Sequence, residues 1–335
     1  MSVVDAERYL EKKLGITLVR GTNPSLQIER ISSGLLSLDA ILGGGIPMGR
    51  ILEIYGMPKL GKTSLALELV NQYLQRGWPV LYADIEHALD PKFAAVHGVD
   101  LQAVHFPVVV DGEDFLWGDN LLKGIFLLAK EWDHALFVVD SVPALIPHQL
   151  FSSKDENDVS DAPALTARLL SQYLKIFAGS GVLAKRYNTL LFINQLRNNI
   201  GSMYATTVRP GGNALPFYAS VVLEVRRGDA FEDPVTKTQN GHELSIRVEK
   251  NKAGMAYQKT VIPLMYATGF DKATDVVKAG IEVGVITVRG SWYQWNEIRE
   301  QGRDRFIEAL EAQAAWDPLY SQVAEALQKG GSPAC

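Results

Sequence analysis

The stretch "EIYGMPKLGKTS", residues 53–64, constrains this chain more than any other. Gly56, four residues, then Gly61-Lys62-Thr63 form the G-x-x-x-x-G-K-[ST] spacing whose backbone N–H groups cradle phosphate oxygens. Such a loop works only between a strand and a helix, and the flanks supply both. Residues 50–55 are an apolar strand. From Lys62 to Arg76 the positions Ala66, Leu69, Val70, Tyr73 and Leu74 recur at helical spacing, with Gly77 as the stop. The loop therefore predicts a nucleoside triphosphate bound at a helix N-terminus, with Lys62 on the β- and γ-phosphates and Thr63 on Mg²⁺.

Further apolar runs follow at residues 79–86, 135–141, 189–195 and 220–227, the earlier ones separated by helical segments. Strands alternating with helices, several apolar on both faces, predict an α/β fold with a largely parallel, buried central sheet. "ELSIRVEKNK" and "KTVIPLMY" read as a hairpin extending it. Residues 3–14 form a short amphipathic helix with Ala6, Tyr9, Leu10 and Leu14 on one face. A helix this short needs a partner for that face, either its own domain or a neighbouring subunit. From about residue 268 the texture changes to a small α/β unit carrying Trp292 and Trp295. The expected organisation is residues 1–33 as N-terminal helix and linker, 34–267 as the ATPase core, and 268–335 as a small C-terminal domain.

Of 335 residues, 47% are hydrophobic and 21% charged, as in ordinary globular proteins. One cysteine, Cys335, excludes an internal disulfide and a cysteine zinc site and fits a reducing compartment. The N-terminus is charged where a signal peptide is apolar, and no apolar run approaches a membrane span, so a cytoplasmic location is expected. The net charge of −5 argues against coating nucleic acid through a bulk positive field; any such binding needs a local constellation or a groove made by assembly.

In a parallel α/β sheet, ligands sit at the carboxyl ends of strands. Asp140 ends "LFVVD", the usual place for a carboxylate on the Mg²⁺ shell, although an Asp there also caps helices. Glu86 ends the second strand, either as a general base for water or, like Asp84, as a cap of the following turn. Gln195 ends the fourth strand, and residues 196–214 then run without period, with three glycines, Arg197, Arg209 and Tyr204. A loop this long is functional or disordered, and one starting beside a γ-phosphate can change order with nucleotide state.

At this point the chain resembles the bacterial RecA recombinase family. "SLDAILGGGIPMGRILEIYG", "EHALDP", "VVDSVPAL", "FINQLRNNIG", "GGNALPFYAS", "KNK" and "GSWYQW" match family segments in the family's order, across nearly all of residues 28–312. The resemblance implies an ATP-dependent helical filament on single-stranded DNA that pairs it with double-stranded DNA and exchanges strands, in DNA recombination, repair and the response to damage. It implies ATP and Mg²⁺ as cofactors and no membrane. Loading mediators and a repressor partner stay open.

The resemblance also places roles. Gly56, Met57, Pro58, Lys59, Leu60, Gly61, Lys62, Thr63 and Ser64 hold phosphates, Asp90, Phe93 and Tyr266 surround the adenine, and Thr63 and Asp140 serve Mg²⁺. Glu86 activates water, Gln195 senses the γ-phosphate, and Lys250 and Lys252 reach the nucleotide of an adjacent subunit, where residue spacing alone reads an exposed cationic strand end. DNA contacts fall on Arg168, Ser171, Lys175, Arg197, Asn198, Asn199, Arg209, Gly211, Gly212 and Asn213, and Phe217 lies at a subunit contact. Three departures stand out: an acid-rich segment at 151–165, Pro216 in place of a usual lysine, and a tail "LQKGGSPAC" without acids. They suit a divergent member, phage- or plasmid-borne. Two alternatives remain open at this stage: another ATPase of the same core fold, such as a hexameric helicase or regulatory relative, and a nucleotide-gated DNA scaffold without turnover.

Overall fold

The central strands owe their place to residues that are apolar on both faces. In the computed structural model, which describes residues 3–23, 27–110, 115–151, 162–198, 207–233 and 236–329, the main sheet has eight strands. These are β1 (Ile51–Gly56), β2 (Val80–Asp84), β3 (Leu136–Asp140), β4 (Thr189–Gln195), β5 (Val221–Glu232), β6 (Gln239–Asn251), β7 (Lys259–Met265) and β8 (Gly269–Phe270). Their order is β8-β7-β6-β5-β1-β4-β3-β2. Strands β5, β1, β4, β3 and β2 run parallel, while β6, β7 and β8 add antiparallel pairs at one side. The expected hairpin extension is β6–β7.

Period-two alternation sends Leu52, Ile54, Val138 and Leu191 into one core cluster and Ile51, Tyr55, Phe137 and Phe192 into the other. Helix α3 (Lys62–Leu74) covers the first face; α5 (Gly118–Glu131) and α6 (Ala162–Ser180) cover the second, with α4 (Pro91–Val96) lying between α3 and α5 in the chain. α3 ends at Leu74, two residues before the expected Arg76, because Gly77 enters the left-handed region and the Trp78 N–H returns to Tyr73 O. β2 stops at Asp84, so Glu86 sits in the turn beyond it rather than on the strand.

The N-terminal segment is helical from Val3 to Tyr9 (α1) and continues as one wider turn over Leu10–Leu14, ended by Gly15 at φ 64°. Tyr9 and Leu14 are exposed, as are Ile16, Leu18 and Val19 after them. Packing onto its own domain, one of the two partners expected for this face, is therefore not what the structure shows. Among the described residues no helix is long and apolar enough to cross a membrane.

Residues beyond α8 (Lys272–Glu282) build a three-stranded antiparallel sheet (Thr287–Arg289, Trp292–Trp295, Ile298–Gln301) and two helices (Arg303–Ala312, Trp316–Gln328). Trp295 is buried there and donates its Nε1–H to Gln322 Oε1 at 2.8 Å, whereas Trp292 stays partly exposed under Arg299. This unit is tied to the core by a remote cap. Helix α2 (Leu36–Leu42) has no capping side chain of its own; instead Asp275 on α8 accepts from the Leu36 N–H at 2.5 Å, the Ser37 N–H at 3.2 Å and the Ser37 hydroxyl.

Burial raises the Asp275 pKa to about 6 from 3.8, against the opposing pull of those bonds. An acid raised in the folded state binds a proton on folding, so its contribution is full below the unfolded value and is lost as pH rises through about 6. Urea denaturation is expected to show wild-type stability falling, relative to Asp275→Asn, by about 2 kcal/mol between pH 4 and 7. Parallel pH profiles would remove this account of the cap.

Candidate nucleotide site and DNA loop

Sheet register brings the polar strand ends together. Gly56 of β1 pairs with Gln195 of β4, and Asp84 of β2 with Asp140 of β3, so the phosphate loop, the two aspartates and the glutamine share one edge. A Cβ on Gly56 would lie 2.3 Å from Val225 O, which is why the strand leaves the sheet through glycine here. A cavity of about 520 Å³ opens at this edge, lined by residues 58–64 together with Asp84, Glu86, Phe93, His97, Asp140, Gln195, His242 and Tyr266.

Lys62 is buried and donates to Met57 O at 2.7 Å, closing the loop on itself, and burial lowers its pKa despite Asp140 and Glu86 nearby. Thr63 Oγ1 donates to Asp140 Oδ2 at 3.1 Å, and Tyr82 donates to the same oxygen at 2.7 Å. Burial raises the Asp140 pKa, and these two bonds oppose it. A hydroxyl and a carboxylate meeting at one point are hard oxygen donors, the set that Mg²⁺ takes alongside substrate phosphates. Glu86 Oε1 accepts from Gln195 Nε2 at 2.7 Å and from the Ser141 hydroxyl. The Asp140–Ser141 peptide between them is cis.

Phe93 and Tyr266 line the cavity, both exposed. Asp90, expected beside them, does not. Its carboxylate caps α4, accepting from Lys92 N at 2.6 Å and Phe93 N at 3.2 Å, and so sets the start of the helix that carries Phe93. Lys250 and Lys252 lie away from this cavity. Their ammonium groups rest on the carbonyls of Pro216, Phe217 and Tyr218 at the end of α7 (Ala214–Tyr218), and Lys250 lines a separate cleft with Tyr55, Glu224 and Glu249. Burial, then the neighbouring Lys252, lowers the Lys250 pKa. Phe217 beside them is 69% exposed.

The loop after Gln195 is not irregular from its start. Arg197–Asn198 pair with Thr207–Val208 as a short antiparallel ladder. Arg197 is exposed, as are Arg168, Ser171 and Lys175, which share one face of α6 at spacings of three and four. Asn199, Tyr204 and most of the acid-rich 151–165 segment lie outside the described residues. Asn213 is exposed at the start of α7. Gly211, at φ +84°, would place a Cβ 2.7 Å from Leu170, and one on Gly212 would meet Ala167 at 3.0 Å, so both glycines let the loop end lie on α6.

Arg209, expected as a DNA cation, is spent inside the protein. Its guanidinium bonds Glu53 at 3.2 Å and Glu249 at 2.8 Å and stacks 3.5 Å over the Tyr55 ring. Glu53 is fully buried in mid-β1 and also accepts from Asn194 Nδ2 at 3.0 Å, the same amide that donates to Pro210 O. Burial raises the Glu53 pKa; Arg209 and Asn194 pull it down. The sequence reading missed Glu53, although a lone acid inside the apolar run "ILEIYG" was the available signal.

The sequence model of the RecA N-terminal domain matches residues 2–271. Protein RecA of Thermus thermophilus is 38% identical over 313 residues, covering 91% of this chain and 88% of that protein. Protein RecA of a Nostoc species is 35% identical over 320 residues, covering 94% and 86%. Protein RecA of Rubrobacter xylanophilus is 36% identical over 336 residues, covering 98% and 93%.

Removing one partner of a buried ion pair strands the other. Arg209→Ala is expected to lower unfolding free energy by about 3 kcal/mol, and Arg209→Gln combined with Glu53→Gln to recover most of it. Additive losses in a denaturant double-mutant cycle would show the pair to be uncoupled.

Proposed function

The chain belongs to the RecA family, and from that membership we propose that it is an ATP-dependent recombinase which polymerises on single-stranded DNA. It is a DNA-dependent ATPase that performs homologous pairing and strand exchange with double-stranded DNA. The observation that carries this reading is the Gln195–Glu86 hydrogen bond inside the phosphate-loop cavity, because Gln195 is also the residue from which the DNA loop departs. The family match favours it over a helicase or a scaffold.

In this reading residues 56–64 hold the triphosphate, Lys62 leaves Met57 O for the β- and γ-phosphate oxygens, and Phe93 and Tyr266 flank the base. Thr63 and Asp140 hold Mg²⁺, which when bound neutralises phosphate charge. Glu86 takes a proton from the attacking water, its orientation set by Ser141 and Gln195. The Gln195 amide can donate either to Glu86 or to a γ-phosphate oxygen, so occupancy of the γ site changes what holds the start of the loop.

Among the described residues, the lysines of the cavity are the buried Lys62 and the exposed Lys59, and transition-state charge calls for further cations. Lys250 and Lys252 supply them in trans from the next protomer, so turnover is fast only inside an assembled polymer. The exposed N-terminal arm and Phe217 form the protomer contacts. Arg168, Lys175 and Arg197, repeated along the filament axis, make the basic groove that a single acidic subunit lacks. The workplace is the cytoplasm.

ATP hydrolysis is expected to rise about tenfold or more on adding single-stranded DNA; equal rates with and without DNA would end the coupling argument. Negative-stain microscopy with DNA and a non-hydrolysable ATP analogue should show helical filaments, where rings would point to a helicase. Lys62→Ala should abolish nucleotide binding. Subunits carrying Lys250→Ala and Lys252→Ala should regain turnover when mixed with Glu86→Ala subunits, and no recovery at any ratio would refute lysines acting in trans.

A further inference from the structure

Asp140 is not oriented by Thr63 alone. Its Oδ2 accepts two hydrogen bonds, from the Thr63 hydroxyl at 3.1 Å and from the Tyr82 phenol at 2.7 Å, while Oδ1 accepts from none of the described residues. The two donors differ in kind. Thr63 stands in the first turn of α3, and in the proposed site its hydroxyl oxygen also serves Mg²⁺. Tyr82 is 1% exposed and belongs to the core cluster on the α3 side of the sheet, so its hydroxyl has Asp140 as its hydrogen-bond partner and no access to the ion. Sheet register explains the reach. β2 and β3 run parallel with Tyr82 opposite Val138 and Asp84 opposite Asp140. Period-two alternation puts Tyr82, Val138 and Asp140 on one face, and the step from Tyr82 to the level of Asp140 is about 6.6 Å along the strands, which calls for a long side chain with a polar tip. The Tyr82 N–H donates to His105 O at 2.9 Å and its ring lies 6.2 Å from that of Phe106, so backbone and ring are both held. Asp84, closer in register, is committed to the following turn, where its two oxygens accept from the Ala88 and Leu89 N–H groups. Burial works against a charged carboxylate at Asp140, and of the two bonds that oppose it the Tyr82 bond contributes more.

We propose that Tyr82 is a positioning residue of the Mg²⁺ site, its core-anchored phenol holding Asp140 Oδ2 beside Thr63 and leaving Oδ1 for the ion. The inference rests on the reading of Thr63 and Asp140 as Mg²⁺ ligands and adds the residue that sets one of them in place beforehand. A ligand already fixed by an outer donor has little rotational freedom left to lose when metal binds. Removing such donors costs roughly 10- to 100-fold in metal affinity or activity. Phenylalanine at this position fills the same core volume without the bond, so the hydroxyl can be tested apart from the ring.

The test is equilibrium binding of a non-hydrolysable ATP analogue, measured with excess Mg²⁺ and again with EDTA, without DNA. The ratio of the two affinities isolates what the ion adds. Tyr82→Phe is expected to shrink that ratio about tenfold, while its affinity in EDTA stays within about twofold of wild type and its thermal transition stays cooperative. Tyr73→Phe is the comparison. Tyr73 is as deeply buried and donates to Thr189 Oγ1 at 2.8 Å, but it does not line the cavity, so its loss of a hydroxyl should keep the wild-type ratio. An unchanged ratio in Tyr82→Phe overturns the proposal, as does the same shrinkage in Tyr73→Phe. An equal loss with Mg²⁺ and with EDTA, or collapse of the fold in Tyr82→Phe, would assign the bond to the core and overturn it too. Wild-type protein that binds the analogue equally well with Mg²⁺ and with EDTA would overturn the reading of Thr63 and Asp140 themselves, which separates the two failures.

Discussion

A carboxylate with no solvent access in the middle of the central strand is the constraint on which much of this molecule turns. Glu53 cannot be charged there without donors, and the donors come from segments far apart in sequence: Asn194 at the end of β4, and Arg209 at the end of the DNA loop. Arg209 in turn bonds Glu249, the residue before Lys250 on β6, and covers the Tyr55 ring one turn of alternation further along β1. One buried charge therefore ties together the strand that ends in Gln195, the returning end of the loop, and the strand that carries Lys250. Tilting any of these leaves a buried ion short of a partner, so the three are held to a small set of joint arrangements.

The scaffold was legible because its signals are local. A phosphate loop needs a strand before it and a helix after it, and the parallel sheet followed from runs apolar on both faces. Asp140 and Glu86 were found because ligand groups gather at strand ends, and the structure brings Asp140 to Thr63 and Glu86 to Gln195. What stayed illegible depends on contacts across long separations. Nothing in "VRPGG" says that the arginine turns inward onto Glu53 and Glu249, or that the glycines are small because α6 passes within van der Waals distance of them. The resemblance puts Asp90 beside the base, and the structure adds that one of its carboxylate oxygens caps the helix it begins, a contact across two and three residues. His97 is invisible in sequence, since only the fold sets it beside Glu68 at the cavity wall.

Arg209 sharpens the difficulty posed by net charge. With one loop cation withdrawn into the protein, the exposed positive groups among the expected DNA contacts that fall on described residues reduce to Arg168 and Lys175 on α6 and Arg197 at the loop base. Three cations on an acidic subunit neutralise few phosphates alone. Repetition along an axis multiplies them, and in the proposed assembly the same repetition sets the lysine strand of one protomer against the cavity of another. In the proposed filament, the requirement for DNA and the requirement for a neighbour are then one requirement.

The resting places of Lys250 and Lys252 bear on how that neighbour is engaged. Among the described residues neither ammonium is paired to a carboxylate within 4 Å; both sit on the carbonyls that end α7, where a helix leaves acceptors unused and carries partial negative charge. Neutral carbonyls hold an ammonium more weakly than a carboxylate does, so moving it onto a triphosphate breaks no ion pair. The carbonyl it leaves belongs to Phe217, whose ring is exposed and whose position lies at the expected protomer contact. Phe217 thus carries both the ring at the expected contact and a carbonyl that holds the two lysines, so the proposed contact and the resting place of the proposed trans cations lie on one short helix.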